Sequence, residues 1–596
     1  MFKSKYLIIL LALLTFLSVT TAHAADPPTE PILRIETEMH TAPILQIGVD
    51  AAERFLLTAS RDKSLRLWDL HTGDLLKTYR VPIGAANEGK LYSGAISPDG
   101  EWVAGAGSTA WEWDNKASIY IFNRASGKLV KRLSGLENAI LHLCVSKDGQ
   151  YLGASLGSGG VRVWNTQIWR PVFSDTDYAD RSNWCDFGPQ NRLVTSSYDG
   201  YLRLYSSASD GISLVAKSDT PGGSFPIAAV FSPNGDKIAV GFSDSTKVNV
   251  LDGHDLAFLY APDTTGIDNG SLGNVAWSQD GNSLYAGGIY DDGSDIKVLR
   301  WSQAGQGNYT EWQASTNTIM DIRPLKNGRI VYGAQDPTFA VLDNAGNKIV
   351  EQEASLADYR GIFDGDFAIS YDGYTIHFGF EYGGERPARF SLSEQSLILN
   401  PQQDSNLTPP DTTSLDISGW ENTYEPKLNG KALSLEQYDF SRSLAIAPDK
   451  SKFLLGTEWY LRLFDTNGQQ IWEVDAPSVA WGVNISGDGK KAVAAYGDGT
   501  IRWYNLDNGE ELLTFFPHKD GKRWVAWTPS GYYMSSADNA DNLIGWHVNN
   551  GKDAAASFYP AGALYATYKR SDIVKKILVT LDEDEAIRLA NLEKED

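Results

Sequence analysis

The sequence has 596 residues, of which 42% are hydrophobic and 21% charged, a composition typical of globular proteins and long enough for two or more domains. The formal net charge is −23. Because an acidic surface repels nucleic-acid phosphates and anionic membranes, this charge argues against nucleic-acid binding and favours a basic partner.

The first 24 residues have the pattern of a secretory leader. Lys3 and Lys5 precede an apolar stretch over residues 7–19, and Ala22 and Ala24 form an A-x-A cleavage site. Cleavage after Ala24 would remove two lysines, leaving 50 basic and 75 acidic residues, a charge of −25. The apolar stretch is too short to span a bilayer. We therefore predict a periplasmic or secreted protein without stable membrane insertion after cleavage, with retention of the leader as an anchor as the alternative.

A short pattern recurs along the chain after the leader. Residues 56–76 read LLTASRDKSLRLWDLHTGDLL, and later copies read GGVRVWNTQIWRPVF and DGTIRWYNLDNGEELLTFF. Each copy places β-rich runs around tight polar turns, and a repeat of about 40–50 residues with four short strands is typical of β-propeller blades. The pattern predicts an all-β propeller.

The residues that close the third strand of each repeat set the predicted number of blades. They fall at Trp68, Phe122, Trp164, Tyr205, Leu251, Trp301 and Leu342. We predict a first propeller of seven blades over residues 25–355, followed by a second, irregular propeller over residues 356–560 with an insert near residues 391–440. Residues 561–596 form a helical tail, because apolar residues return with helical spacing after Ser571, a predicted N-cap.

The first repeat carries residues that resemble the WD-repeat family. His40, Ser60, Asp62 and Trp68 occur in the order of the His–Ser–Asp–Trp network of WD blades. The resemblance implies that the imidazole links the hydroxyl, the indole N–H and the turn carboxylate, and that these four residues are structural.

A narrower resemblance begins near Leu415. The strings SRSLAIAPDKSKFLLGTEWYLRLFDTNG and KRWVAWTPSGYYMSSADNADNLIGWHVNNG are similar to the propeller region of bacterial multidomain WD-repeat proteins that carry a caspase-like peptidase domain. This implies a bacterial propeller protein, which we expect to lack the peptidase domain.

The two cysteines, Cys144 and Cys185, fall on predicted innermost strands at positions of opposite parity. Because side chains alternate along a strand, the two thiols should point to opposite faces. We therefore predict two buried free thiols, with a disulfide as the alternative.

The sequence lacks the motifs that carry chemistry. It has no H-E-x-x-H helix and no phosphate-binding loop, and no two histidines have metal-ligand spacing. We predict no catalytic residues, no metal and no cofactor.

Aromatic and acidic residues gather in two predicted loops of neighbouring blades. These loops emerge on one face and bring Trp111, Trp113, Tyr178 and Trp184 together with Asp177 and Asp180. Aromatic anchors among charges suit a protein or peptide partner, although the rings could instead fold back into the blades.

The sequence thus favours a non-catalytic protein-binding scaffold of the bacterial cell envelope. One alternative is an exported propeller hydrolase or redox enzyme with a funnel site on the propeller axis, for which a pocket with shifted carboxylates would argue. Another is an accessory subunit of a separate caspase-like peptidase.

Overall fold

The computed structural model describes residues 26–208, 211–293, 295–362, 366–436 and 439–595. The predicted leader lies outside these residues. Within them, no helix combines the length and apolar character needed to cross a membrane. The first element is the strand β1 (Ile32–Ile35).

Seven antiparallel four-stranded sheets follow β1 in the described chain, each with its strands in sequence order. Blade 1 contains β2 (Ile44–Val49), β3 (Phe55–Ser60), β4 (Ser64–Asp69) and β5 (Leu75–Arg80). Blade 2 contains β6 (Lys90–Ile96), β7 (Trp102–Ser108), the short helix α1 (Trp111–Asp114), β8 (Ala117–Asn123) and β9 (Leu129–Leu136). Blade 3 contains β10 (Ile140–Val145), β11 (Tyr151–Leu156), β12 (Val161–Asn165) and β13 (Arg170–Asp175).

Blades 4 to 7 contain β14 (Ser182–Phe187), β15 (Leu193–Ser197), β16 (Leu202–Ala208), β17 (Gly211–Ser218); β18 (Pro226–Phe231), β19 (Lys237–Phe242), β20 (Val248–Asp252), β21 (Phe258–Tyr260); β22 (Asn274–Trp277), β23 (Leu284–Asp291), β24 (Ile296–Trp301), β25 (Tyr309–Ser315); β26 (Ile319–Pro324), β27 (Ile330–Ala334), β28 (Phe339–Leu342) and β29 (Lys348–Gln352).

The third-strand residues that set the predicted blade count all lie in third strands, and all are buried. The tight turns between first and second strands use glycines with positive φ, such as Gly100 and Gly235, where an L side chain would be strained. The all-β propeller prediction is confirmed, whereas the predicted domain bounds stay a prediction.

The seven innermost strands form a closed ring. β2 contacts β6, and the contacts continue through β10, β14, β18, β22 and β26, which returns to β2. Blade 7 is completed by its own β29, so the ring closes by packing rather than by exchange of a terminal strand. At the closure, Trp68 of blade 1 packs against Phe339 of blade 7 with ring centroids 4.9 Å apart.

The rest of the chain, here called the C-terminal arc, begins after the ring and continues to residue 595. Its elements are β30 (Ala368–Ser370), β31 (Thr375–Gly379), β32 (Pro387–Ser391), β33 (Ser396–Leu399), β34 (Leu407–Thr408), β35 (Ile417–Ser418), β36 (Lys427–Leu428), β37 (Lys431–Ala432), β38 (Ser441–Ile446), β39 (Lys452–Thr457), β40 (Tyr460–Asp465), β41 (Gln470–Asp475), β42 (Ala480–Ile485), β43 (Lys491–Tyr496), β44 (Ile501–Asn505), β45 (Glu511–Pro517), β46 (Trp524–Trp527), β47 (Tyr533–Ser535), β48 (Ile544–Val548), β49 (Ser557–Pro560), α2 (Tyr565–Tyr568), α3 (Ser571–Thr580) and α4 (Glu583–Glu595).

The arc stacks its blade-like sheets on one another. The six-stranded sheet β42–β47 lies in the middle, with the sheet β38–β41 on one face and the sheet of β30 to β34 on the other. The irregular second propeller predicted from the sequence takes this stacked form.

The described part of the predicted tail holds the short helix α2 followed by two longer helices, α3 and α4, rather than a single helix. Leu581 takes a left-handed conformation with φ of 55° and ends α3, and the Asp582 carboxylate accepts a hydrogen bond from the Glu585 amide at 2.8 Å to start the next helix. Ile573 and Ile577 of α3 are buried against the arc. Ser571 is the first residue of α3 rather than its predicted cap.

The N-terminal strand ties the ring to the arc. β1 pairs antiparallel with β48, from Ile32 with His547 to Ile35 with Ile544. Just after β1, the Glu36 carboxylate binds Arg66 of blade 1 at 2.8 Å. Chain segments from both ends therefore hold the two parts together.

The cysteines form a disulfide, so the prediction of two free thiols is wrong. Cys144 lies on β10 of blade 3 and Cys185 on β14 of blade 4, with their Cα atoms 5.8 Å apart. The parity argument fails because neighbouring blades stack face to face. Side chains on opposite faces of successive blades are the ones that point at each other across the contact between blades.

Candidate functional site

The predicted WD network forms in blade 1, with Thr58 in the place assigned to Ser60. The Trp68 Nε1–H donates to Thr58 Oγ1 at 2.9 Å, and this hydroxyl lies 2.7 Å from His40 Nε2. His40 Nδ1 lies 2.7 Å from the Asp62 carboxylate. The Ser60 hydroxyl instead donates to the Ala42 carbonyl at 2.7 Å. The assignment of Ser60 to the network is wrong because Thr58, two residues earlier on β3, faces the ring of Trp68.

Burial and the neighbouring charges together decide the protonation states of His40 and Asp62. Burial lowers the pKa of His40 more than the nearby Asp62 carboxylate raises it. For Asp62, burial alone would raise the pKa, but His40, Arg66 and the Ser64 hydroxyl together hold it below its usual value. Asp62 is therefore an ionised acceptor for a neutral imidazole, which is a structural arrangement.

The aromatic residues predicted to anchor a partner do not share one exposed surface. Trp113 and Trp184 are buried. The Tyr178 hydroxyl bonds to Thr195 Oγ1 at 2.6 Å, and its ring stacks under Arg203. Trp111 alone of the four is exposed, at 44%. The alternative that these rings fold back applies to the other three.

The two predicted acidic residues are both exposed, but one of them already has a partner within the protein. Asp177 and Asp180 are exposed, and Asp177 lies 3.5 Å from Lys217 of its own blade. In the neighbouring loop, Asp114 forms an ion pair with Lys552 of the arc at 3.1 Å. That loop therefore takes part in the contact between ring and arc.

A cavity of about 900 Å³ lies where the arc faces the mouth of the ring. All seven blades line it with residues at the N-terminal ends of their innermost strands, namely Leu45, Tyr92, Leu141, Asn183, Ile227, Asn274 and Met320. We call it the axial cavity. The sequence predicted a funnel on the propeller axis only for the alternative of an enzyme, without naming residues that line it.

β-Bulges direct most of these side chains into the axial cavity. In six of the described blades the pairing between first and second strands skips a residue near the start of the first strand, and the skipped positions include Leu45, Tyr92, Leu141, Asn183, Ile227 and Met320. A bulge leaves its extra residue out of the ladder and turns it away from the sheet. The repeated bulge therefore builds a largely apolar ring of side chains around the axis.

The arc supplies the opposite wall of the axial cavity. It contributes Trp459, Tyr460 and Trp481, and Trp459 is 40% exposed. Arg360 lines the same wall and donates to the Thr316 carbonyl of the ring at 3.1 Å. The wall thus combines aromatic surface with a guanidinium that is already bonded to the ring.

At the floor of the axial cavity, which His142 and Trp184 both line, polar side chains join the blades to one another. The Gln46 amide lies 2.9 Å from His142 Nε2, and the His142 ring stacks on Trp184 with centroids 3.8 Å apart. Burial raises the pKa of the Asp186 and Asp321 carboxyls. Each of these acids nevertheless accepts a backbone N–H from the next blade, at 2.9 Å and 3.0 Å respectively, so both link blades. Neither carboxyl lines the axial cavity.

One signal in the sequence could have located the cavity. Tyr92, Leu141 and Ile227 each lie eight residues before a turn glycine, namely Gly100, Gly149 and Gly235. Over the described ranges, no cluster of three or more His, Cys, Asp or Glu side chains has the arrangement of a metal site.

Comparison with known proteins supports the repeat assignment. The family model described as "WD domain, G-beta repeat" matches residues 33–69 and 127–165, and the first match contains the His40 to Trp68 network. The two matched segments are similar to WD repeats, and the ring of four-stranded sheets has the all-β fold of a WD-repeat-like propeller.

Curated relatives match parts of the chain. The "Probable E3 ubiquitin ligase complex SCF subunit scon-2" of Neurospora crassa is 27% identical over 27% of this chain and 22% of its own length. The human "Transducin beta-like protein 2" is 27% identical over 22% of this chain and 28% of its own length. The "SAGA complex subunit Spt8" of Schizosaccharomyces pombe is 24% identical over 41% of this chain and 43% of its own length. The chain thus spans less than half the length of each.

Proposed function

We propose that this protein is a non-catalytic binding scaffold that holds an extended segment of a partner protein in the axial cavity. The observation that carries this proposal is the ring of bulged, mostly apolar side chains facing the exposed Trp459 across about 900 Å³. Interface energy concentrates where aromatic and apolar side chains are held in a pocket that excludes water. A peptide could fill this space with alternate side chains directed to the floor and to the wall.

The relatives support a role in assemblies. Two of the matched proteins are described as subunits of complexes, one of an SCF ubiquitin ligase complex and one of the SAGA complex. WD-repeat propellers that act as subunits offer rigid surfaces to other proteins, and function resides in loops and cavities carried on that frame.

The proposed place of action is the bacterial cell envelope. The leader pattern of the first 24 residues supports export, and a disulfide between blades suits an oxidising compartment. The net charge after cleavage, −25, supports attraction of a partner that is basic overall, and its field would act on the rate of encounter.

A synthetic library of random decapeptides tests the binding role. Peptides retained by the full chain should bind with at least about tenfold lower affinity to Trp459→Ala, because truncating an aromatic anchor costs about 1.4 kcal/mol or more. Trp111→Ala is the matched control, since Trp111 is exposed to a similar degree, 44% against 40%, but lies outside the cavity. It should bind as the parent does.

Two results would overturn the proposal. One is a library that yields no binders at all. The other is a set of binders that tolerates Trp459→Ala but is lost on Trp111→Ala, which would place binding on the ring loop around α1, as the sequence alone suggested.

A further inference from the structure

Four cationic side chains converge at one end of the axial cavity, beside blades 1 and 2. Arg61 and Lys90 line the cavity itself. Behind them, the Lys63 ammonium donates to the Gly84 carbonyl at 3.0 Å, and the Arg34 guanidinium donates to the Asp62 carbonyl at 3.4 Å. We call these four residues the basic cluster.

Two members of the basic cluster, Lys63 and Arg34, donate hydrogen bonds to backbone carbonyls, and none of the four forms an ion pair within the described residues. Neighbouring cations behave differently, since Arg66 binds the Glu36 carboxylate at 2.8 Å and Lys552 binds Asp114 at 3.1 Å. In a chain with 75 acidic and 52 basic residues, four converging cations that form no close ion pair are unexpected, although the Asp62 and Asp498 carboxylates act on Arg34 from a greater distance. Burying a charge without a counter-ion is costly, and Lys63 is buried, with 7% of its surface exposed.

The titration of the two lysines agrees with this geometry. Burial, with the neighbouring Arg34 and Lys90, lowers the pKa of Lys63 well below its ordinary value, although Glu88 and Glu112 oppose the shift. Burial, with Arg61 and Arg34, lowers the pKa of Lys90 to about 8, although Asp475 and Asp498 of the arc oppose it. An anion placed among these groups would supply the charge they lack.

The acids that face the basic cluster have other contacts or point from the far wall. Asp498 lies 3.4 Å from Arg502, and the Glu88 carboxylate accepts the Glu112 amide at 2.9 Å. Asp475 lines the cavity from the arc. The space between Lys90 and the arc wall therefore remains open to a ligand group.

We infer that the basic cluster binds the C-terminal carboxylate of the peptide segment that occupies the axial cavity. This inference rests on the proposed function, because the body of the peptide must fill the rest of the axial cavity. A cavity of about 900 Å³ is far larger than one small anion needs. A carboxylate carries a single charge, so it suits a site that sits in a strongly acidic protein better than a polyanion does.

The test compares two chemical forms of the same ligand. Decapeptides selected on the full chain are synthesised with a free C-terminal carboxylate and with a C-terminal amide, and both affinities are measured by calorimetry. The free acid should bind at least about tenfold more tightly, since hydrogen bonds between charged groups are about twice as strong as neutral ones. This comparison needs no variant and so cannot fail through misfolding.

Variants then place the effect at the basic cluster. In the double variant Arg61→Gln with Lys90→Gln, the preference for the free acid should fall below about threefold. Lys131→Gln is the control, because Lys131 is exposed on β9 away from the cavity, and it should keep the full preference. Raising the pH from 7 to 9 should reduce the preference, because Lys90 loses its proton as the pH passes about 8.

The outcomes separate this inference from the proposed function. Peptides that bind equally as acid and amide, and still depend on Trp459, would overturn the carboxylate site and leave the scaffold role intact. If no peptide binds but inorganic phosphate or succinate binds in a manner that depends on Lys90, the cluster serves free anions, and both the scaffold role and the chain-end site are wrong.

Discussion

Thr58 Oγ1 is the atom shared by both hydrogen bonds that connect Trp68 to His40, so Thr58→Val tests the network at its centre. Valine keeps the shape of threonine and removes the hydroxyl. The Trp68 N–H and His40 Nε2 are then both buried without their partner. Each unpaired buried group costs about 1–3 kcal/mol, so we expect a loss of about 2–6 kcal/mol.

Amide hydrogen exchange measured by mass spectrometry reports this loss locally. Peptides that cover β3 and β4 should exchange at least about 30-fold faster in Thr58→Val, because 1.4 kcal/mol corresponds to a factor of ten. Thr528→Val is the control. Thr528 is equally buried, but its hydroxyl has no hydrogen-bond partner in the described structure, so the same substitution should leave exchange in β46 and β47 unchanged.

Unchanged exchange in Thr58→Val would refute the assignment of Thr58 to the network. A large effect of Ser60→Ala with none for Thr58→Val would restore the arrangement predicted from the sequence. An equal loss in Thr58→Val and Thr528→Val would mean that the burial of threonine, rather than its hydrogen bonds, sets the cost.

Two further predictions concern the disulfide and two buried histidines. Denatured protein should take up no thiol label before reduction and two labels after it, and uptake of two labels without reductant would contradict the disulfide. Replacing Cys144 and Cys185 with serine should lower the free energy of unfolding by about 3–4 kcal/mol, because the disulfide removes the loop-closure entropy of a separation of 41 residues from the unfolded chain. Burial lowers the pKa of His142 well below its ordinary value and that of His547 to about 3. The unfolded chain therefore binds protons that the folded protein does not as the pH falls below about 6.5, so stability should decline by about 2 kcal/mol per histidine between pH 7 and 5. Denaturant unfolding at both pH values checks this, and an equal decline in His547→Asn would contradict it.

The ring could be predicted because its information is local. Each blade repeats a buried third-strand residue such as Trp164 or Trp301, and each turn carries a residue that tolerates positive φ. These features act within one repeat, so a single sequence displays them. Thr58 was missed because the alternation along β3 leaves both Thr58 and Ser60 on the same face, and spacing alone does not separate them.

Features that join different repeats could not be predicted from the sequence. Predicting the disulfide would have required knowing that blade 3 and blade 4 face each other. The alternation of side chains, which holds within one sheet, led to the wrong prediction for Cys144 and Cys185. The axial cavity depends on a bulge in most blades and on the position of the arc. Trp459 and Lys90 come from distant parts of the chain, and no repeat relates them.

The pairing of β1 with β48 also sets an order of events during synthesis. The seven blades can form one after another as the chain emerges, because each consists of consecutive strands. β1, made first, must wait for a partner that lies about 500 residues later. Until then its ILRI edge is an unpaired apolar strand, the kind of segment that aggregates or recruits chaperones. A chain released before β48 would carry an intact ring and an uncovered N-terminal strand, which marks it as incomplete to proteases that recognise unfolded segments.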